Sequence, residues 1–321
     1  MRRHPKSDSH FVIYAEAFLD VIGPDPGYET IPDINAHEGP VYVRAENAVY
    51  FTTLPVTTNI PSFGDRNVAI KRLDVASGEV STFVAAANMA NGMTLERNGN
   101  LLICEQGSLE TAARISRMNL KTKRTETVVD HWFGLPFNSP NDIVEKSDGT
   151  IWFTDPAYGA LQGFRPKPLV GDFVYRFDPA DESVTVVADS FKKPNGLCFS
   201  PDESIMYIND SAAIEGPNTY YINLPHHIRA FDVADNSHLV NDRLFAVVTP
   251  VIPDGLKVDS QGRVYSSSGT GVQVFDTTGK ILGEILAGGV ANFCFGGEGN
   301  NMLFMMCDNA INIATLAATG I

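Results

Sequence analysis

A unit that recurs six times is the feature of this chain that most limits its possible folds. Each copy begins with a polar residue, which we call the head, followed by a short apolar run, a turn and a second apolar run. In four copies the turn residue stands eight positions after the head, at Gly99, Gly149, Glu203 and Gly262. The six heads are Glu38, Asn91, Asn141, Asn195, Asp254 and Asn292. Successive heads are 38 to 59 residues apart, so a unit of that size is repeated.

Strand-rich repeats of this length are typical of β-propeller blades rather than of helical solenoids. Two apolar runs joined by Asn-Gly or Asp-Gly predict a β-hairpin, because a tight turn between strands needs positive φ at its central residues. A second pair of strand-like segments follows each copy, for example residues 68–73 and 80–84. The sequence therefore predicts an all-β, six-bladed β-propeller of four-stranded antiparallel blades.

The two ends of the chain must close such a ring. Residues 11–18 and 311–316 have the composition of strands, and little sequence remains after Leu316 to finish the last blade. We therefore expect the N-terminal strand to complete that blade. Residues 10–321 are predicted to form a single propeller domain, and residues 1–9 are predicted to be disordered.

Three long insertions interrupt the repeat. Residues 53–66 interrupt the first blade, whereas residues 158–171 and 211–225 come just after strands near the axis, where loops overhang the channel. Loops of this length inside a compact domain are often functional lids, and the alternative is a plain surface loop.

Composition limits the partners of this chain. A net charge of −14 argues against nucleic acids and anionic membranes. No apolar run approaches the roughly 18 residues of a membrane span, and no signal-peptide core follows the basic first six residues. The four cysteines lie in or beside apolar runs, which predicts free core thiols in a reducing compartment. We expect a cytoplasmic monomer or homodimer whose partner is a small molecule.

Equivalent positions of successive blades lie at the same place around a propeller axis, so the heads should converge near the central channel. Carboxylate and amide oxygens in such a ring suit a hard divalent cation, which would also offset the repulsion between two carboxylates. We predict one divalent cation, with Ca²⁺ as the first choice and Mg²⁺, Mn²⁺ or Zn²⁺ as alternatives. The predicted ligands are Glu38, Asn141, Asn195 and Asp254, with Asn91 and Asn292 as further candidates. The alternative interpretation is that these residues only begin strands and turns.

Five strings spread over nearly the whole chain carry a more specific signal. They are Asn-Gly-Met-Thr-Leu at 91–95, Ser-Pro-Asn-Asp at 139–142, Trp-Phe-Thr-Asp-Pro-Ala-Tyr-Gly at 152–159, Pro-Asn-Gly-Leu at 194–197 and Pro-Asp-Gly-Leu at 253–256. Together they resemble the gluconolactonase/senescence-marker (regucalcin-like) family. The resemblance implies a six-bladed propeller with a catalytic divalent metal on its axis, which hydrolyses sugar lactones or related esters.

The resemblance also implies a role for each matching residue. Its metal ligands fall on Glu38, Asn195 and Asp254, and Asn141 is a fourth ligand or a substrate contact. The metal would polarise the lactone carbonyl or a water molecule. Asp254 is then the catalytic general base that we expect. The alternative is a hydroxide held by the metal that attacks without a separate base.

Further side chains are expected to shape the substrate site. The predicted substrate-binding residues are Asn91, Asn141, Asp142 and Tyr158. Asp155 supports the site or merely ends a strand. Ser139 stands where some animal members of the family have arginine, and Gln106 stands where bacterial-type members often have histidine. These departures favour a less polar ring than a sugar lactone, as do the apolar loop residues Leu161, Phe164, Leu169, Ile214, Tyr220 and Tyr221.

Other functions remain open beside the metal-dependent lactonase. An organophosphate or aryl-ester hydrolase of the fluorophosphatase or paraoxonase type would use similar axial ligands. A non-catalytic calcium-binding propeller would bind the cation without turnover. A condensing propeller similar to strictosidine synthase is disfavoured, because its chemistry does not need this ring of oxygen ligands.

Overall fold

The computed structural model describes residues 10–57, 66–214 and 219–321. The predicted disorder of residues 1–9 lies outside these ranges, as do parts of two predicted insertions, residues 58–65 and 215–218. The described residues form six small antiparallel sheets arranged as the blades of a propeller, which confirms the predicted fold class.

Each of the first three blades is a sheet of four strands that lie side by side in the same order as they occur along the chain. The first blade contains Glu38–Val43, Ala48–Thr52, Ile70–Asp74 and Val80–Val84. The second contains Ala90–Leu95, Leu101–Glu105, Arg114–Met118 and Thr125–Val129. The third contains Ile143–Glu145, Ile151–Asp155, Phe173–Asp178 and Ser183–Ala188.

The other three blades include both strands from the N-terminal segment. The fourth blade contains Pro194–Phe199, Ile205–Asp210, His227–Ala234 and His238–Val247. The fifth contains Leu256–Val258, Val264–Ser268, Gly271–Phe275 and Ile281–Leu286, with Phe11–Ile13 as a fifth strand on its edge. The sixth contains Asn292–Gly296, Met302–Met306 and Asp308–Thr315, with Gly27–Ala36 as its outer strand.

Short elements connect these sheets. Two small hairpins pair Val56–Thr57 with Arg66–Asn67 and His131–Trp132 with Leu135–Pro136. The helical segments are Glu16–Phe18, Leu19–Ile22, Arg44–Glu46 and Tyr158–Leu161. None of the helices in the described ranges is long and apolar enough to cross a membrane.

The N-terminal segment closes the ring, as the sequence predicts. Gly27–Ala36 pairs antiparallel with Asp308–Thr315, so the last blade is completed by a strand from the start of the chain. Phe11–Ile13 lies in the segment that was expected to complete the last blade, but it pairs instead with Ile281–Leu286 of the fifth blade. The first strand of each blade contacts the first strand of the next, and Asn292–Gly296 contacts Glu38–Val43 to complete the circle.

Apolar clusters fill the space between neighbouring blades. Side chains of successive strand residues point to opposite faces of a sheet. Trp152 therefore packs toward the fourth blade, where its ring centroid lies 5.4 Å from that of Phe199, whereas Phe153 packs toward the second blade. Burial of each such aromatic side chain contributes roughly 2–3 kcal/mol. The four cysteines are buried free thiols within these blades, as predicted.

Glycine follows four of the six heads because the next blade approaches its backbone closely. Gly92 N–H donates to the Asn141 carbonyl at 2.7 Å, and Gly196 N–H donates to the Asp254 carbonyl at 3.1 Å. An added Cβ at Gly92 would lie 2.4 Å from that Asn141 oxygen. These contacts hold neighbouring inner strands together at the heads.

Candidate functional site

The heads of the six blades are collected at one end of the ring. Each head lies within two residues of the start of the strand nearest to the axis, so the inner strands all run away from that end. A cavity of about 180 Å³ opens there. Five of the six heads line it: Glu38, Asn91, Asn141, Asn195 and Asp254. The structure thus brings together the four predicted metal ligands and three of the four predicted substrate contacts, Asn91, Asn141 and Tyr158.

Two buried carboxylates at strand ends hold the segments that lead into the next blades. Asp155 accepts hydrogen bonds from the backbone N–H groups of Asn138 and Ser139, both at 2.8 Å. Asp210 accepts the N–H groups of Lys192 and Lys193, both at 3.0 Å. The held segments end at Asn141 and Asn195, so each carboxylate sets the position of a cavity-lining amide. Asp155 supports the site from outside the cavity.

The position of Asp155 makes the stability of the fold depend on pH. Burial raises the pKa of Asp155 to about 7 from 3.8, against the opposing hydrogen bonds from Asn138 and Ser139. The folded chain therefore binds more protons than the unfolded chain between these values, and this contribution to stability falls as pH rises from about 4 to about 7. In Asp155→Asn, we expect the stability advantage of the wild type to shrink by about 1.4 kcal/mol per pH unit in this window. Urea unfolding at several pH values measures it.

Asp202→Asn serves as the control, because the pKa of Asp202 is shifted in the opposite direction to that of Asp155. The hydroxyl of Ser200 and the Ser204 groups lower the pKa of Asp202 to about 2. Its contribution is present above about pH 4 and is lost only as pH falls further, so its effect should be constant between about pH 5 and 7. A constant difference between wild type and Asp155→Asn across that window would contradict the raised pKa.

Two carboxyl groups face one another at the cavity. Glu38 is 3 % exposed, and its Oε2 accepts hydrogen bonds from Gly39 N–H at 3.1 Å and from Asn292 Nδ2 at 2.8 Å. The side chain of Asp254 contacts that of Glu38. Burial, followed by the charge of Glu38, raises the pKa of Asp254 well above its ordinary value. Burial also raises the pKa of Glu38. Two such groups ionise together only at a large energetic cost unless a cation lies beside them.

Amide oxygens without partners surround this pair. Asn91 Oδ1 and Asn141 Oδ1 are buried and accept no hydrogen bond. An unpaired buried acceptor costs roughly 1–3 kcal/mol, so such atoms usually have a partner. Among the described residues, no three His, Cys, Asp or Glu side chains form a metal-binding group. Two carboxylates with amide oxygens nevertheless form the all-oxygen set that a hard divalent cation requires, so these residues fit such an ion.

Tyr158 and Asp142, both predicted substrate contacts, differ in position. Tyr158 lines the cavity, and its hydroxyl accepts a hydrogen bond from Asn195 Nδ2 at 3.4 Å. Asp142 is buried but does not line the cavity. Its Oδ1 accepts the N–H of Ile143, and its Oδ2 lies 4.0 Å from Lys257 Nζ. A direct contact between Asp142 and a substrate in this cavity stays a prediction that the geometry does not favour.

The wall of the cavity includes residues that were not among the predicted ligands and substrate contacts. Thr53 and Gln106 each directly follow the second strand of their blade, so one shared repeat position could have identified both. His37 also lines the wall, and its Nδ1 lies 2.7 Å from Asp308 Oδ1. The apolar part of the wall consists of Pro55, Val68, Ala90, Ile214 and Ile252. The lining of the cavity is thus partly polar and partly apolar.

Curated relatives match this chain over most of its length. A model of the SMP-30/gluconolactonase/LRE-like region matches residues 36–308. A gluconolactonase from Zymomonas mobilis is 28% identical over 318 residues, which cover 94% of this chain and 83% of that protein. A lactonohydrolase from Aspergillus oryzae is 30% identical over 308 residues, which cover 88% of this chain and 69% of that protein.

Solved structures are similar to it as well. A gluconolactonase from Xanthomonas campestris superimposes with a TM-score of 0.80 at 29% identity, covering 98% of this chain and 99% of that one. Regucalcin from Agrobacterium tumefaciens, a calcium-binding protein, gives a TM-score of 0.66 at 18% identity, covering 91% and 93% of the two chains. At that identity the second likeness shows the fold alone. The predicted family resemblance is confirmed.

Proposed function

Because this chain belongs to the SMP-30/gluconolactonase/LRE-like family, we propose that it is a metal-dependent hydrolase that opens lactone rings. The observation that carries the proposal is the cavity at which two carboxyl groups and the amide side chains of three further blades meet. Relatives named gluconolactonase and lactonohydrolase support the reaction class.

The cation would be held by Glu38, Asn195 and Asp254, with Asn141 as a fourth ligand. Ca²⁺ is the proposed ion, since flexible sites with several oxygen ligands suit it, and Mg²⁺, Mn²⁺ and Zn²⁺ are the alternatives. When bound, such an ion supplies Lewis-acid polarisation of the substrate carbonyl. The unpaired oxygens of Asn91 and Asn141 support a site for a positively charged group or a donor.

The residues of the chain would then perform the proton transfer. Asp254 takes the proton of the attacking water onto a carboxylate oxygen, the role of a general base. Asn209 Nδ2 donates to the Asp254 carbonyl at 2.7 Å, and Asp254 N–H donates to Ser267 Oγ at 2.9 Å, so the backbone of the base is held on both sides. Tyr158 and Asn91 orient the ring. The water oxygen bonds to the carbonyl carbon, the ring C–O bond breaks, and Asp254 passes its proton to the leaving alkoxide oxygen, so the product is a hydroxy acid.

The apolar wall supports a lactone that carries an apolar substituent. The lining includes Ile214, Ile252 and Val68, and within the described part of the chain it includes no lysine or arginine. A phosphorylated or strongly anionic substrate would therefore find no lysine or arginine side chain to pair with. The cytoplasmic location, the single domain over residues 10–321 and the monomeric or homodimeric state stay predictions.

A hydrolysis screen with added cation tests the proposal. The panel contains γ-, δ- and aromatic lactones, with aryl esters and fluorophosphates beside them. We expect lactone turnover that falls by at least about 100-fold in Glu38→Ala or after chelation, because each removes transition-state stabilisation worth several kcal/mol. Turnover that survives chelation contradicts metal dependence. Cation binding without turnover of any substrate favours the non-catalytic calcium-binding alternative, and faster fluorophosphate cleavage favours the organophosphatase.

A further inference from the structure

We propose that Asn292 and Lys257 are positioning residues that hold the Glu38 carboxylate in the orientation required for cation binding. This inference rests on the proposed function. Asn292 is the sixth head, yet it does not line the cavity. It is 2 % exposed, and its Nδ2 donates to Glu38 Oε2 at 2.8 Å. Glu38 begins the first blade and Asn292 begins the last, so this hydrogen bond crosses the junction at which the ring closes.

The orientation of the Asn292 amide is determined by two donors. Its Oδ1 accepts the N–H of Phe293 at 2.8 Å and lies 3.4 Å from Lys257 Nζ. Because both groups are donors, the oxygen must face them and the NH₂ group must face Glu38. The backbone of the fifth blade also packs closely here, since an added Cβ at Gly255 would lie 2.4 Å from Asn292 Oδ1. The amide has little room to rotate.

The effect of this arrangement on Glu38 is specific to one oxygen. Both hydrogen bonds, from Gly39 N–H and from Asn292, end on Oε2. Neither hydrogen bond ends on Oε1, and this is the oxygen that would bind the cation. A ligand carboxylate that is hydrogen-bonded in this way loses fewer conformations when it binds a metal, and loss of such an outer partner typically costs 10–100-fold in metal affinity or activity.

Lys257 acts from the other end of the axis. It lines a second cavity of about 530 Å³, beside inner-strand residues such as Val144, Cys198 and Cys294. Its Nζ lies 3.1 Å from the Leu256 carbonyl and 4.0 Å from Asp142 Oδ2, in addition to Asn292. Lys257 therefore contacts the amide that holds Glu38 without lining the cavity of the heads. Its role is to orient Asn292 rather than to touch substrate.

Cation titrations by calorimetry on the full chain test the proposal, with Ca²⁺ and Mn²⁺ as probes. The variants are Asn292→Leu and Lys257→Met, and kcat and KM are measured at saturating cation. Asn292→Leu should lower cation affinity about 10–100-fold. Lys257→Met should also lower the cation affinity, but by a smaller factor. Because both residues act through Glu38, saturating cation should restore most of kcat.

Lys146→Met is the matched control. Lys146 is a buried lysine with its Nζ 3.1 Å from Glu203 Oε2, and neither of these two residues lines the cavity of the heads. Its loss should leave cation affinity unchanged. If Asn292→Leu does not fold, Asn292→Ser and Lys257→Met carry the test.

The outcomes separate the two proposals. If the wild type binds cation and Asn292→Leu binds it equally well, the positioning role is wrong and the proposed function stands. If Lys257→Met binds cation more tightly, Lys257 acts only as a repelling charge, which overturns its part. If the wild type binds no divalent cation, both the positioning role and the metal-dependent function are wrong.

Discussion

Asp254→Asn is expected to lower kcat for lactone hydrolysis by about 10²–10⁴-fold, the usual contribution of a general base. The amide keeps an oxygen that can face the cation, and it keeps the backbone hydrogen bonds to Asn209 and Ser267. It cannot accept a proton from water. We therefore expect the cation to remain bound, with weakened affinity, and kcat to fall much more than KM changes.

Steady-state kinetics at saturating cation measure this effect, and calorimetry verifies that the ion is bound. Asp276→Asn provides the control, because Asp276 lies in an exposed turn and accepts hydrogen bonds from the Thr278 N–H and hydroxyl groups. Its replacement should leave kcat unchanged. If Asp254→Asn with bound cation retains more than about a tenth of the wild-type kcat, Asp254 is not the base.

Glu38→Gln is expected to change the sign of its effect on stability when a divalent cation is added. Without the ion, the two carboxyl groups of Glu38 and Asp254 repel one another, and the glutamine relieves this while still accepting from Gly39 and Asn292. We expect the variant to be more stable than the wild type by roughly 1–2 kcal/mol at pH 8. With saturating Ca²⁺ the wild type should become the more stable chain.

The reversal follows from linkage. An ion at 100 times its dissociation constant stabilises the folded state by about 2.7 kcal/mol, and the variant loses most of this gain because it lacks a charged ligand. Thermal or urea unfolding of the wild type and of Glu38→Gln, each with calcium and with chelator, measures the four stabilities that are compared.

Glu105→Gln separates this effect from the loss of any buried glutamate. Glu105 is also buried, but it pairs with Arg114 at 2.8 Å rather than with a second carboxylate. Its replacement should destabilise the chain equally with and without the ion. Equal destabilisation by Glu38→Gln under both conditions would contradict a cation site at Glu38.

The repeat along the chain was enough to predict the blades and the residues that begin them. The hairpin turns are local features, and their sequence signal is equally local. Gly99 and Gly149, at the position eight after the head, have φ of +84° and +85°. Glu203 has φ of +57° at the same position, so the left-handed backbone conformation of the turn is retained without glycine. The common direction of the inner strands then collects the heads at one end.

Contacts between distant parts of the chain decided the rest. The sequence predicted a strand within residues 11–18 but not the strand Gly27–Ala36, and only the free sheet edges available after folding assigned Phe11–Ile13 to the fifth blade and Gly27–Ala36 to the sixth. By its position in the repeat, Asn292 was likewise equivalent to the other heads and was expected to lie near the channel with them. In the folded chain its amide turns to Glu38, 254 positions away, instead of lining the cavity.

Strand periodicity, turn chemistry and repeat spacing are properties of neighbouring residues, so the order of amino acids was enough to predict the architecture, the family and the set of oxygen-bearing heads. Which side chains share the cavity depended on how the folded blades meet. The fold turned Asp142 toward Lys257, added Thr53 and Gln106 to the wall, and placed Glu38 against Asp254. The physical reason is that the direction of a buried polar side chain depends on the partners that other blades bring to it, and these partners are adjacent only after the ring has closed.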